Sequence, residues 1–212
     1  MSKYENIINY ETDVNTPLIE GESLIWSAKP KKSAYIINKI LVMMPIALIW
    51  LLFDSFIIVT MFKSGEIGQM LMVVIPFFLL HLMPVWIWLG NILTASKRWE
   101  NTKYYITDRR IIIQNGLIGT DYQTIYYKDI KNVNLRVGVI DKLLGVGDIY
   151  LDLGYNYSSK NSAIINAFLD IENPYEIYPK LQKIVLDIQT DIEYPNAYRP
   201  EENPGFNTKY KG

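Results

Sequence analysis

Hydrophobic residues form two long runs in the first half of the chain and alternate with polar residues in the second half. The runs cover residues 40–62 and 70–92, and each is long enough to cross roughly 30 Å of hydrocarbon as a helix. Core helices of soluble proteins seldom run this far without a charged face. The pattern therefore predicts a transmembrane helical hairpin within residues 40–93, with a short linker at 63–69.

Basic residues flank this predicted hairpin on its outer sides, in segments 29–39 and 97–110, whereas the linker has only Lys63, offset by Glu66. Positively charged flanks stay in the cytoplasm. The charge pattern therefore predicts a multi-pass protein of the inner membrane, with both termini cytoplasmic. The N-terminal segment 1–39 is then a cytoplasmic extension.

Each predicted span contains one ionisable residue, Asp54 in the first and His81 in the second. Counted from the outer ends of the spans at about 1.5 Å per residue, the two side chains lie at similar depths. An ionisable group in lipid is costly, and an oppositely charged partner lowers that cost. The two residues are therefore expected to form an intramembrane polar pair. Such a pair could hold helices or subunits together, or could belong to a proton or ion path.

The second half of the chain reads as short strands followed by a helix. Period-two alternation and turn signals, including Asn115-Gly116, predict strands within segments 102–108, 109–116, 122–127, 132–137, 148–153 and 162–171. A helix begins at Asn173-Pro174 and has an apolar stripe with helical spacing from Ile177 to Ile188. The proline-rich tail 190–212 is expected to be extended. The fold class is α+β, a small bent sheet closed by a C-terminal helix and attached to the helical hairpin.

The stretch LLGVGDIYLDLG, residues 143–154, has glycines beside an aspartate and could be a ligand loop or a tight turn. Ile140, Leu143 and Leu144 have helical spacing, so Gly145 falls where a helix ends in a left-handed residue. Gly147 would then be a second flexible joint, and Asp148 would bond nearby backbone. A phosphate loop needs the reverse order, strand, glycines and then helix. The spacing thus favours a structural turn over a ligand site.

Composition removes most catalytic chemistry. The chain of 212 residues has no cysteine, one histidine and a net charge of −1. These counts exclude thiolate catalysis, Cys-ligated metals and a multi-histidine zinc site, and they give no electrostatic reason to expect nucleic acid as a partner. No nucleophile–base pair is visible. The sequence therefore predicts no catalytic residue, no cofactor, no metal and no enzymatic activity.

Four segments in this order resemble the bacterial PH-domain family of small membrane proteins (bPH_2, YdbS-like). They are GESLIWSAKP, YYITDRRIIIQNG, IKNVNLRVGVIDKLLGVGDIYL and IENPYEIYPKLQKI, with the hydrophobic runs in the gap after the first. The resemblance implies a pleckstrin-homology-like split β-barrel of about seven strands, over residues 98–189, capped by the C-terminal helix. It implies no enzymatic activity, and some relatives are associated with envelope stress and immunity to antimicrobial peptides.

The leading functional hypothesis is a non-catalytic interaction module on the cytoplasmic face of the membrane, which binds a protein partner or further copies of itself. Membrane lipids are a second expected partner, because Lys103, Arg109 and Arg110 form a basic cluster that could contact anionic headgroups. Two alternatives stay open. The protein could act in immunity or envelope stress against membrane-active peptides, or it could be a small transporter or membrane enzyme that uses Asp54 and His81.

Overall fold

The computed structural model describes residues 17–65, 67–154 and 166–193. The chain forms two compact units. One is helical and consists of Tyr35–Arg98, and the other combines the flanking segments Met1–Ala34 and Trp99–Gly212. The polar loop at 155–161 and most of the predicted tail lie outside the described residues.

The flanking segments contain two antiparallel sheets. The strands are β1 Leu24–Ala28, β2 Lys103–Thr107, β3 Arg110–Asn115, β4 Asp121–Tyr126, β5 Asn132–Arg136, β6 Val146–Asp152 and β7 Ala167–Glu172. The first sheet has the strand order β1-β2-β3-β4 and the second has the order β5-β6-β7. A 3₁₀ turn, Tyr127–Asp129, joins the sheets, and the helices of this unit are α4 Val139–Leu144 and α5 Pro174–Glu193. The predicted α+β class, with antiparallel strands and a C-terminal helix, is confirmed.

Strand β1 is the element that the sequence pattern did not predict. It lies before the hydrophobic runs, within the segment expected to be a simple extension, and it pairs with β2 from Ala28↔Tyr104 to Leu24↔Thr107. The pairing adds Ile25 and Trp26 to the core.

One hydrophobic core joins both sheets to α5. The sheets contribute mainly isoleucine and aromatic side chains, and α5 contributes the stripe that faces them. The fully buried large side chains of this core include Tyr104, Tyr127, Phe168, Ile106, Ile111, Ile130, Ile149, Ile171 and Leu181. The α5 residues Leu181, Ile184, Val185 and Ile188 recur at helical spacing, so a single face of the helix is buried.

The helical unit contains most of three helices, α1 Lys32–Ser64, α2 Ile67–His81 and α3 Met83–Glu100. Helix α1 has 33 residues, which makes it roughly 50 Å long. Among the described residues α1 is the one helix that is long and apolar enough by itself to cross a membrane, and only 11% of its most apolar window is buried. The bent pair α2–α3 meets the same criterion if it is counted as one span.

The second predicted span, 70–92, is not one straight helix. It is divided at Leu82, and the two pieces meet at an angle of 55°. Pro84 explains the break, because it has no N–H to donate to the carbonyl of Leu80 and its ring would collide with that carbonyl. The linker is also shorter than predicted, since α1 extends to Ser64 and α2 begins at Ile67.

Candidate functional site

Asp54 and His81 lie side by side in the helical unit. Asp54 projects from the middle of α1 and its side chain is 2% exposed, while His81 ends α2. The imidazole Nδ1 is 2.9 Å from Asp54 Oδ1. Neither carboxylate oxygen nor Nδ1 is in an aligned hydrogen bond, so the contact is a close approach of the two side chains with poor hydrogen-bond geometry. A buried carboxylate with so few donors is unusual in a folded chain.

Aromatic rings surround the imidazole of His81. The ring of Phe77 is stacked on it at 5.1 Å, and the rings of Trp50 and Phe53 are 5.3 and 6.3 Å away. The imidazole therefore lies among three aromatic rings as well as against the carboxylate of Asp54.

The helix break next to His81 is stabilised by two indole groups. Trp50 Nε1 donates to the carbonyl of His81 at 2.6 Å, and Trp86 Nε1 donates to the carbonyl of Leu79 at 3.1 Å. Carbonyls freed by a break need such donors where water is absent. Pro84 and the tryptophans are visible in the sequence, but no pattern there predicted this arrangement.

The glycine–aspartate stretch is built into the sheet. Gly145 follows α4 with φ +68°, and its N–H donates to the carbonyls of Asp141 and Lys142. Asp148 Oδ1 accepts the backbone N–H of Asp170 at 3.0 Å, across the irregular pairing of β6 with β7. Burial raises the pKa of Asp148. The carboxylate of Asp148 therefore binds a backbone N–H of the neighbouring strand, as expected for a structural role.

Gly147 has a role that differs from the expected flexible joint. It lies within β6, paired with Ile171. A Cβ at this position would be 2.9 Å from Val137 Cγ2 and 3.0 Å from two ring carbons of Pro174. The missing side chain makes room for the start of α5 against the sheet.

The basic residues proposed to bind lipid do not form one cluster. Lys103 is at the start of β2, next to the end of α3, and its Nζ lies 5.4 Å from the ring of Tyr105. Arg109 and Arg110 are at the opposite end of the β2–β3 hairpin. The guanidinium of Arg109 donates to the carbonyl of Gly21. Spacing in sequence suggested proximity, but the antiparallel pairing separates these charges by the length of a strand.

Arg110 belongs to a buried network around Glu22, which sequence analysis did not find. Its Nε and Nη2 donate to Glu22 at 2.9 and 3.0 Å, and the carboxylate also accepts the N–H of Ile19 at 2.9 Å. The hydroxyl of Thr107 is 2.7 Å from Oε1. Burial alone would raise the pKa of Glu22, but the bonds from Arg110, Ile19 and Thr107 outweigh it and lower the pKa. The network fastens the segment before β1 to the β2–β3 turn.

The described residues contain no group of three or more side chains that could hold a metal ion. Two antiparallel sheets with a helix over their shared core, and polar clusters that serve the fold, define a domain of the pleckstrin-homology-like class. The family model for the bacterial PH domain (bPH_2) matches residues 40–185, and the chain therefore belongs to the bacterial PH-domain family. The match is to the bacterial PH-domain family and does not distinguish its YdbS-like members. No curated protein and no solved structure matches the chain. Domains of this class are generally non-catalytic, which favours an interaction module over an enzyme.

Proposed function

We propose that this protein is a PH-like interaction module anchored on the cytoplasmic face of the bacterial inner membrane, where it holds a protein partner or further copies of itself. The anchor is the hairpin formed by α1 and the bent pair α2–α3. The PH-like unit is a split barrel closed by α5.

The exposure of the apolar helices is the observation that carries the proposal. The side chains of Leu52, Phe56, Leu80 and Leu93 are 72%, 70%, 73% and 81% exposed. An apolar surface this large is not stable in water and marks contact with a membrane or a partner. A core helix of a soluble protein would instead be mostly buried.

Contacts at the base of the helices favour a hairpin with both ends on one side. Trp99 Nε1 donates to the carbonyl of Pro30 at 2.7 Å, and Lys29 Nζ donates to the carbonyl of Glu100 at 3.1 Å. The segment that enters α1 is thereby joined to the end of α3. Lys29 and Lys32 also lie over the ring of Trp99, and such basic and aromatic residues are typical of the cytoplasmic interface.

The topology can be tested with single cysteines, because the natural chain has none. We expect Ser64→Cys, at the C-terminal end of α1, to react with a membrane-impermeant maleimide on intact cells. Leu186→Cys, on the exposed face of α5, should react only after the cells are lysed. The reverse labelling pattern, or labelling of Leu186→Cys that is equal before and after lysis, would contradict the proposal.

A further inference from the structure

Outside helices α1, α2 and α3, the three most exposed large apolar side chains of the described residues are Ile118, Val139 and Leu143. They are 90%, 82% and 82% exposed. Ile118 lies in the β3–β4 turn, and Val139 and Leu143 lie on α4. Sequence analysis assigned α4 only to the turn before Gly145, which does not explain why its apolar side chains face outward.

Helix α4 is tied to the residue that precedes α1. Lys31 Nζ donates to the carbonyl of Leu144, the last residue of α4, at 2.9 Å. The backbone of Lys31 donates to the carbonyl of Asp170 at 2.9 Å, and its ammonium is 3.5 Å from the carboxylate of Glu172. The outward-facing residues of α4 therefore lie at the end of the domain where α1 begins.

The β3–β4 turn is tied to the residue that follows α3. Asn101 Nδ2 is 3.5 Å from the carbonyl of Gly116 and 3.4 Å from that of Gly119, so one amide spans both sides of the turn that contains Ile118. Since Asn101 directly follows Glu100, this turn also lies where the domain joins the long helices. Two apolar tips, Ile118 in the β3–β4 turn and Val139 with Leu143 on α4, thus lie at the same end of the domain.

Lysines lie at this end of the domain, together with the exposed carboxylates of Glu100 and Glu172. Lys29 and Lys32 are exposed at the entry to α1, and Lys142 is exposed on α4 beside Leu143. Each basic residue near an anionic membrane contributes about 1 kcal/mol. Exposed apolar side chains flanked by lysines are typical of segments that lie in the membrane interface.

Both tips contact residues that adjoin the helices in sequence. Lys31 directly precedes α1, and Asn101 directly follows α3. On the proposed anchoring, this end of the domain is therefore the one from which the chain enters and leaves the membrane.

We propose that Ile118 together with Val139 and Leu143 forms a lipid-contact face, which dips into the headgroup–acyl boundary of the bilayer that contains α1. The proposal rests on the membrane anchoring proposed above. It assigns the partner as an anionic phospholipid surface. The PH-like domain then binds the membrane through side chains of its own, and its orientation on the membrane is fixed by two tips as well as by the helices.

Spin labels at single cysteines test this proposal in the full chain. The labelled variants are Ile118→Cys and Leu143→Cys, reconstituted in vesicles of phosphatidylcholine with phosphatidylglycerol. Leu186→Cys is the matched control, because it is an exposed apolar residue at the other end of the domain. Helix α5 near this residue is bonded through Gln189 to the carbonyls of Tyr127 and Ile130, beyond the end of β4 that is remote from Ile118. A label at Leu52→Cys reports on the anchor itself.

The measurement is the accessibility of each label to lipid-soluble oxygen relative to a water-soluble nickel complex. We expect the oxygen-to-nickel ratio at Ile118→Cys and Leu143→Cys to exceed that at Leu186→Cys several-fold. Equal, nickel-favoured ratios at these three sites would overturn the proposal. Labels at 118 and 143 that are shielded from both reagents would also overturn it, because they would indicate a protein contact. An oxygen-favoured label at Leu52→Cys shows that the anchoring holds even when the lipid face fails, and a nickel-favoured one shows that the anchoring is wrong.

Discussion

Two carboxylates that are almost completely buried, Glu22 and Asp54, each lie 2.9 Å from a basic side chain, but their surroundings differ. Glu22 accepts bonds from a guanidinium, a backbone N–H and a hydroxyl, whereas Asp54 has only the poorly aligned imidazole of His81. Bonds to all lone pairs offset the cost of burying a charge, and a single close contact does so only partly. The pair of Glu22 and Arg110 is therefore expected to stabilise the fold more than the pair of Asp54 and His81.

Removing the Glu22 carboxylate should destabilise the PH-like unit strongly. In Glu22→Ala the half-buried guanidinium of Arg110 loses its carboxylate partner, and we expect a loss of about 3–5 kcal/mol in the free energy of unfolding. Unfolding of the full chain in detergent, followed by circular dichroism, measures this loss. Arg109→Ala, which removes a partly exposed side chain and its bond to the carbonyl of Gly21, should cost about 1 kcal/mol or less.

The same carboxylate makes stability depend on pH. Because the pKa of Glu22 is lowered in the folded state, its contribution is fully present above its ordinary value of 4.5 and is lost as the pH falls through the lowered value. In Glu22→Ala this part of the acid sensitivity should disappear. If the loss of stability in acid is unchanged in Glu22→Ala, other groups and not Glu22 cause the acid sensitivity.

The contact between Asp54 and His81 predicts non-additive substitutions in the helical unit. Asp54→Leu and His81→Leu should each lower the resistance of the hairpin to unfolding in detergent, because each leaves one polar partner alone. The double variant should lose less than the sum of the two, by about 0.5–3 kcal/mol. Thr60→Leu, at an exposed site of α1, controls for added bulk. Additive losses would show that the pair contributes no coupling to the hairpin.

At the scale of elements, alternation in sequence was sufficient for strands that bury one face. The pattern of β3 and β6 was readable because Ile111, Ile113, Ile149 and Leu151 each lie two positions from the next core residue. The helical spacing of Ile140, Leu143 and Leu144 likewise predicts a turn of helix, and the structure has α4 there. The separation of the basic residues could not be found in this way, because it depends on which ends of the strands are paired.

Strand β1 and the break at Leu82 could not be derived from the same signals. Strand β1 has a bulge near Leu24 that interrupts the two-residue period, and its partner strand lies beyond the hydrophobic runs. The break at Leu82 was hidden by uniform hydrophobicity, which masks any period. Only Pro84 indicated it, and proline is tolerated in membrane helices.

Substitutions of three glycines test whether the stretch around α4 serves the backbone fold or binds a ligand. We expect Gly147→Ala to cost about 1–3 kcal/mol, since the new methyl group would collide with Val137 and Pro174. Gly145→Ala should cost about 1–2 kcal/mol because of its left-handed backbone, although the space around it is open. Gly119→Ala, in open space with an ordinary backbone, is the control and should change little.

Thermal unfolding of the full chain in detergent measures these three costs. Added phosphate, nucleotide or divalent metal should not restore either destabilised variant. Saturable stabilisation of the unsubstituted protein by one of them would instead assign a ligand to Asp148.

At the scale of the whole molecule, the helices are an insertion between two neighbouring strands. Strand β1 comes before α1, its partner β2 follows α3, and the four-stranded sheet needs both. Contacts between Pro30 and Trp99 and between Lys29 and Glu100 close this insertion at its base. The membrane anchor proposed above would therefore be joined to the domain by two stretches of the chain.

This connectivity also dictates an order of events during synthesis. The N–H of Ser23 bonds to Asp108, and 85 positions separate the two residues. At roughly 5–20 residues per second on the ribosome, about 4 to 17 seconds pass between their appearance. The hydrophobic helices emerge within that interval, so on the proposed topology they reach the insertion machinery before β1 has a partner. The domain therefore folds after its anchor is in place, and a nascent chain whose insertion fails is left with β1 and β2 unpaired, as a target for chaperones and proteases.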